Sequence, residues 1–319
     1  MKVFVTGGSG FVGGHLIERL VAAGHTVTAM ARSASSAAAV TAYGATAVRC
    51  GLDDLAAAHL EGCEAVVHAA AYVEDWGPKE AYWEANVVGT ERALAAARAA
   101  GASRFVSIGT EAAFFTGEAL VGLDESAPLP LRQRFAYSET KAEAEKRVLA
   151  AEGEGFVTVS LRPRLVWGPR DATVLPTLVE MARRGAFVWL DGGAQKTSTC
   201  HVFNLCEAVR LSLRPEAPGG AYFVADAGET TVRAFLSALA ESQGVSLGGL
   251  SLPGSVMRPV SAGLERFWRL ASIEKAPPMT AFAIAMLSRS ITVKTDKIAS
   301  ALGYRPVITR DEGLAALRV

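Results

Sequence analysis

The stretch Thr6-Gly-Gly-Ser-Gly-Phe-Val-Gly13 constrains this chain more than any other. It follows a short apolar run over 2–6 and opens a helical pattern over about 11–23. Glycines at 7, 10 and 13 let the backbone turn tightly, adopt unusual φ and approach a neighbouring group closely. A helix N-terminus placed there offers unpaired N–H groups and a positive dipole end to a phosphate. The arrangement predicts a dinucleotide cradle made by Gly7, Ser9, Gly10, Phe11, Val12 and Gly13. A plain strand-to-helix turn is the alternative for such a spacing.

The rest of the first two-thirds repeats that alternation. Strand-like runs fall at about 25–31, 46–49, 65–68, 104–108 and 157–162, and helical patterns at about 79–100 and 137–152. The strands are continuous apolar runs, as in a parallel sheet buried on both faces. Strand and helix in alternation imply right-handed βαβ units and a doubly wound α/β (Rossmann) sheet. After Arg162 the rhythm changes, with Pro163, Pro169 and Pro176 and mostly helical patterns from about Val202. The expected organisation is a dinucleotide-binding domain over 1–164, with part of 195–230 returning to it. A smaller, mostly helical substrate region would comprise 165–194 and 231–319. Within it, 244–278 is rich in Gly, Ser and Pro around one helical piece at about 260–270, and a mobile segment is expected there.

Composition narrows the function. Lys+Arg and Asp+Glu are both 32 in 319 residues, so charge gives no reason to expect a nucleic-acid partner. The four cysteines lack C-x-x-C spacing and the five histidines are scattered, so no metal site is expected. Serine-hydrolase chemistry lacks its G-x-S-x-G elbow. The N-terminal run has no signal-peptide character, and no apolar stretch is long enough to span a bilayer. A cytoplasmic protein without a transmembrane segment is expected.

The cofactor type depends on the end of the second strand, Val27-Thr-Ala-Met-Ala-Arg-Ser33. An acidic residue there would bond a ribose 2′-hydroxyl. Ala31, Arg32 and Ser33 instead suit a 2′-phosphate, which favours NADP(H) over NAD(H).

Tyr137-Ser-Glu-Thr-Lys141 places a phenol and an ammonium on one face of a helix. Reducing a ketone requires hydride on carbon and a proton on oxygen. A phenol near an ammonium exchanges that proton more readily. A further hydroxyl is wanted beside the oxygen that gains charge. In Phe105-Val-Ser-Ile-Gly-Thr-Glu111, Thr110 lies just past the strand and is the choice, with Ser107 as the fallback.

Together these motifs resemble the extended short-chain dehydrogenases/reductases, nearly end to end. Gly7, Gly10 and Gly13 match that family's cofactor loop, and Tyr137 with Lys141 its active-site pair. Val66-Val-His-Ala-Ala-Ala71 is similar to its fourth strand and the Ala-rich turn, which puts Ala69 and Ala70 beside the cofactor, with Leu52 near the adenine. Asn86-Val-Val-Gly-Thr90 resembles the motif whose Asn orients a relay water. Leu161-Arg-Pro-Arg-Leu-Val-Trp-Gly-Pro169 resembles the stretch approaching the nicotinamide, which adds Pro163. Two departures stand out: Ser107-Ile-Gly-Thr110 replaces a serine run, and Cys50-Gly-Leu-Asp53 replaces G-D-L.

Within the family, 162–169, 199–204 and 276–282 look closest to 3β-hydroxysteroid dehydrogenases, sterol-4-carboxylate dehydrogenases and 2-alkyl-3-oxoalkanoate reductases. The resemblance implies an oxidoreductase working between a ketone and a secondary alcohol on a bulky hydrophobic substrate, with pro-S hydride transfer and a homodimer among the expectations. Two rivals stay open. A nucleotide-sugar epimerase or dehydratase uses the same Tyr–Lys pair but needs basic residues on the C-terminal lid, which reads as mostly apolar. A non-catalytic NADP-binding regulator need not keep that pair. The segment 258–270, with Arg258, Arg266 and Arg269 among apolar residues, fits an ordinary surface helix, a lid, a dimer contact or a membrane-surface patch.

Overall fold

The computed structural model describes residues 1–273 and 275–318; residues 274 and 319 of the expected substrate region lie outside it. Strand and helix alternate as β1 (Lys2–Thr6), α1 (Phe11–Ala22), β2 (Thr26–Met30), α2 (Ala34–Ala42), β3 (Thr46–Val48) and β4 (Ala65–His68). Then come α3 (Lys79–Trp83), a π-helical turn Glu84–Val88, α4 (Gly89–Ala99), β5 (Arg104–Ile108), β6 (Leu120–Leu123), α5 (Ala136–Ala150) and β7 (Val157–Pro163). The second part holds β8 (Val166–Trp167), α6 (Val174–Arg183), β9 (Trp189–Leu190), β10 (Lys196–Thr197), β11 (Cys200–His201), α7 (Val202–Ser212) and β12 (Gly220–Val224). It ends with β13 (Thr230–Thr231), α8 (Val232–Glu241), β14 (Ser251–Leu252), α9 (Gly254–Leu270), α10 (Ala281–Leu287), β15 (Ile291–Val293), α11 (Asp296–Leu302) and α12 (Arg310–Ala316).

Seven strands form one sheet in the order β12-β7-β5-β4-β1-β2-β3, and every neighbouring pair is parallel. Order reverses at β1 and β4, so a crevice opens beyond their carboxyl ends, where such sheets bind ligands. Both faces are covered. Val3, Val5, Leu16, Val67, Leu205 and Val209 pack on one side, and Phe4, Val66, Leu94, Phe105 and Phe156 on the other. That two-sided burial is why β1 and β4 read as nearly continuous apolar runs, while on β7 the buried Thr158, Ser160 and Arg162 bond Glu152 and Glu145. A separate core of Trp167, Trp189, Phe235 and Leu239 lies in the second part.

The strands at 2–6, 65–68 and 104–108 coincide with the sequence pattern, and the other expected ends differ by a residue or two. Three differences are larger. The Ala-rich stretch after Ser33 forms α2, begun by a Ser33–Ser36 capping box that periodicity does not reveal. The chain after Val202, expected to be mostly helical with part of 195–230 returning to the first domain, supplies an unplaced strand, β12, as the last strand of the main sheet, paired with β7. The helical piece expected from about 260 starts at Gly254, so α9 has 17 residues with Pro259 inside.

The motif at 199–204 is tied down by Asp226. This buried carboxylate accepts from Trp167 Nε1, Thr199 Oγ1, the His201 backbone N–H and Asn204 Nδ2, at 2.6 to 2.8 Å. Nothing in the sequence pattern marks Asp226, because its four partners come from two separate stretches.

Candidate active site

The glycine loop leaves β1 at the crevice and is shaped by close approaches. Gly7 has φ +69°, and a Cβ there would lie 2.7 Å from the Ala70 nitrogen, so the loop is pressed against Ala69-Ala70. A Cβ on Gly13 would lie 2.1 Å from the Gly7 carbonyl oxygen. Both positions therefore require glycine. The Gly10 N–H donates to the Gly7 carbonyl at 3.1 Å, and no side chain caps α1. Ser9 is exposed, while Phe11 and Val12 are half-buried along the first turn. Room for a pyrophosphate over a helix N-terminus is what these features provide.

His68 braces this loop from β4. Its ring bonds Thr6 Oγ1 at 2.9 Å through Nδ1 and Thr90 Oγ1 at 3.1 Å through Nε2. Thr90 Oγ1 donates to the Asn86 carbonyl and so accepts from Nε2–H, which assigns the tautomer. Burial, then the nearby Lys141, pushes the imidazole down to about 3, so it stays neutral.

Arg32 and Ser33 stand at the end of β2. Both are exposed, and the Ser33 hydroxyl accepts from the Ser36 N–H at the start of α2. Arg49, just past β3, donates from Nη2 to the Arg32 carbonyl at 3.2 Å. Arg32 and Arg49 line the same cleft of about 370 Å³. Sequence reasoning missed Arg49 because strand pairing, not spacing, brings the two arginines together. Leu52 is half-buried and packs against Gly89 of α4. Pro163 ends β7, its Cα paired with Val224.

Tyr137 and Lys141 lie on the first turns of α5, and Thr110 opens the 3₁₀ turn after β5. The Thr110 hydroxyl lies beside the Tyr137 phenol. Thr110 Oγ1 accepts from the Ala112 N–H at 3.1 Å and donates to Glu111 Oε2 at 2.9 Å. The opposite oxygen of Glu111 accepts from Arg164 Nη1 at 3.0 Å, and both members of the pair are buried. Burial, then the Glu111 charge, pushes the Tyr137 phenol well above its ordinary value; the Thr110 hydrogen bond pulls the other way. Lys141 Nζ donates to the Ile108 carbonyl at 2.8 Å. Burial lowers its ammonium to about 8, opposed by Glu145. Ser107, the fallback hydroxyl, lies within β5 between His68 and Ser160.

Asn86 sits in the π-helical turn, a feature that favours functional positions. Its Oδ1 accepts from the Tyr72 N–H at 2.7 Å, and its Nδ2 donates to the Tyr72 carbonyl and to Thr140 Oγ1, both at 3.1 Å. The side chain thus pins the loop after β4 to α5. An aromatic wall completes the site. Phe282 of α10 stands edge-on to Tyr137 at 5.7 Å and to Phe135 at 5.2 Å between ring centres. Phe135 in turn stacks on Phe115 at 5.7 Å. Sequence reasoning missed Glu111, Arg164 and Phe282. The Thr110-Glu111 step was a visible signal, since an acid directly after an active-site hydroxyl at a buried strand end needs a cation.

Residues 3–225 match the NAD dependent epimerase/dehydratase family. A 4-hydroxy-2-methyl-3-oxo-4-farnesyl-3,4-dihydroquinoline-1-oxide ketoreductase from Stigmatella aurantiaca is 40% identical over 320 residues, covering 100% of this chain and 96% of its own. A 2-alkyl-3-oxoalkanoate reductase from Stenotrophomonas maltophilia is 34% identical over 330 residues, covering 100% and 98%. Among solved structures, the UDP-glucuronic acid 4-epimerase from Bacillus cereus in complex with NAD superposes with a TM-score of 0.75 at 19% identity, over 99% and 97% of the two chains. That likeness speaks for the fold.

Proposed function

The chain belongs to the NAD dependent epimerase/dehydratase family, the extended short-chain dehydrogenases/reductases, and we propose that it is an NADP(H)-dependent reductase of a bulky hydrophobic ketone. The enzyme class rests on relatives named as reductases. The convergence of Tyr137, Lys141 and Thr110 at the carboxyl end of the sheet carries the reading.

The glycine cradle fits a dinucleotide: Gly7 and Gly13 let the loop close on Ala69-Ala70 and on itself, and no side chain caps the α1 N-terminus that it exposes. Gly7, Ser9, Gly10, Phe11, Val12 and Gly13 would hold its pyrophosphate, Leu52 the adenine side, and Ala69, Ala70 and Pro163 the line toward the nicotinamide. Bound there, the nicotinamide supplies the hydride. NADP(H) is favoured because Arg32 and Arg49 share one cleft at the end of β2 and a guanidinium fork matches phosphate oxygens, while of the two acids in the same lining, Asp53 and Asp54, the second is engaged by the Gly51 N–H.

Tyr137 donates the proton to the ketone oxygen and withdraws it in the reverse direction. Its raised proton affinity keeps the phenol protonated at neutral pH, the form that reduction needs. Thr110 flanks the same oxygen. Lys141 exchanges its grip on the Ile108 carbonyl for the cofactor ribose and returns a proton to the phenol. Asn86, its amide engaged with Tyr72 and Thr140, holds the relay water through its backbone.

A screen of steroid, β-keto acid and aromatic ketones with NADPH against NADH tests this. Turnover of a bulky ketone with NADPH is expected. Cofactor binding without turnover of any ketone would overturn it.

A further inference from the structure

Resting on that reductase reading, we propose that the cleft between α9 and the start of α5 is a subsite for a carboxylate at the far end of the substrate. The cleft measures about 390 Å³, and Arg134, Arg266 and Arg269 line it together with Phe135, Glu265 and Leu270. None of the three arginines has a carboxylate partner among the described residues. Glu265, the one acid in the lining, has an oxygen engaged 2.7 Å from the Ala281 N–H. The lining itself carries three cations and one partly committed anion, with Asp75 close enough to feel the Glu265 charge.

Two of the guanidiniums are held in place. Arg269 lies 4.5 Å over the Trp76 ring and Arg134 lies 5.5 Å from the Phe135 ring centre. A guanidinium held by its face keeps its N–H edges free to donate. An apolar path joins the cleft to the reaction centre. Phe135 belongs to the cleft wall, Phe282 touches Phe135, and Phe282 touches Tyr137. A substrate with its ketone at Tyr137 and its apolar body along these rings brings its other end to the arginines. That end is therefore anionic, and one aromatic layer away from the ketone.

A neutral end would leave the guanidiniums unanswered. A nucleotide diphosphate would satisfy them, but its base and sugar would meet Phe135, Leu270, Ala262 and Ala281 rather than polar partners. An acyl or polycyclic acid satisfies both halves of the cleft. This subsite also revises the expectation of a mostly apolar lid, because periodicity scatters Arg266 and Arg269 along a helix and leaves out Arg134.

The test is calorimetric titration of the NADP-saturated enzyme with decanoate, decanol and UDP at low, fixed salt. Decanoate should bind more tightly than decanol or UDP, and its affinity should fall as salt rises. Replacing both arginines (Arg266→Gln with Arg269→Gln) should weaken decanoate about tenfold and leave decanol unchanged. Arg266→Gln alone, at an exposed position without a carboxylate partner, should weaken it about threefold and avoids any disturbance of Trp76. Decanol binding as tightly as decanoate, an unchanged affinity in both variants, or tighter binding of UDP would each overturn the subsite. In turnover, an oxo acid should show a lower KM than its methyl ester. Absence of turnover of any ketone would count against the reductase reading while the titration still reads the subsite.

Discussion

Thr110 Oγ1 stands 2.9 Å from Glu111 Oε2 and lies beside the Tyr137 phenol, so one hydroxyl proton faces two oxygens that can accept it. An ionised carboxylate cannot donate. With Glu111 charged and Tyr137 protonated, Thr110 gives its proton to Glu111 and receives that of the phenol. Once the phenol has lost its proton, Thr110 can turn and donate to it. Arg164 fixes the carboxylate that sets this order.

Glu111→Gln should therefore carry the pH limb of alcohol oxidation to lower pH. The substitution removes the charge that raises the phenol and frees the Thr110 proton. The other charges around Tyr137 are Asp75, which also raises it, and Lys141 on its own helix. Rate profiles of oxidation against pH would show the shift; an unchanged limb would reduce Glu111 to a structural role. In the same assay Thr110→Ala should cost more activity than Ser107→Ala, because Ser107 lies inside β5 and does not reach past its end.

Tyr137→Phe should retain cofactor binding and lose about 10²–10⁴-fold in turnover, because it removes the proton donor and little shape. Fluorescence titration with NADPH beside steady-state kinetics separates the two. Near-full reduction rates would remove Tyr137 from its role.

Lys141→Met should stabilise the fold while it abolishes turnover. Burial holds the folded pKa at about 8, below that of the unfolded chain. The unfolded chain therefore binds more protons from about pH 8 up to the ordinary lysine range of about 10.4, and stability rises with pH across that window. Below it the full penalty stands, of the order of 1–3 kcal/mol. The lost bond to the Ile108 carbonyl offsets part of the gain. Melting curves of both proteins should differ most at pH 7 and converge above the ordinary lysine range. A variant less stable at pH 7 would contradict the argument.

Cofactor preference tests the two arginines at the end of β2. Arg32→Ala and Arg49→Ala should each weaken NADPH binding by roughly tenfold at low salt and leave NADH nearly unchanged. Equal affinity of the unaltered protein for the two cofactors would remove the basis for an NADP preference.

The sequence displayed the sheet and its glycine loop well, because two-sided burial makes β1 and β4 nearly continuous apolar runs and close approach demands Gly7 and Gly13. Tyr137 and Lys141 were legible for a similar reason, sharing one helix four residues apart. Arg49 and Arg164 were not, since their neighbours Arg32 and Glu111 lie 17 and 53 positions away along the chain. Part of 195–230 was expected to return to the first domain, but β12 itself was not placed, because its partner is β7, across the whole stretch that holds α6 and α7. Contacts between distant segments leave no period to read.

That late strand has a consequence for synthesis. A ribosome releasing the chain in order exposes β5, β4, β1 and their partners first, with β7 as the free border until residues 220–224 emerge. The border is the β7 edge Val157–Leu161, with Val157, Val159 and Leu161 on one face, and the Arg104 guanidinium on β5 still awaits the carbonyls of Ser212, Pro215 and Ala217. A nascent or truncated chain ending before β12 presents an unpaired strand edge to its neighbours. Truncations intended to isolate the cofactor half should therefore end beyond Val224, and those ending near residue 164 should accumulate as aggregates.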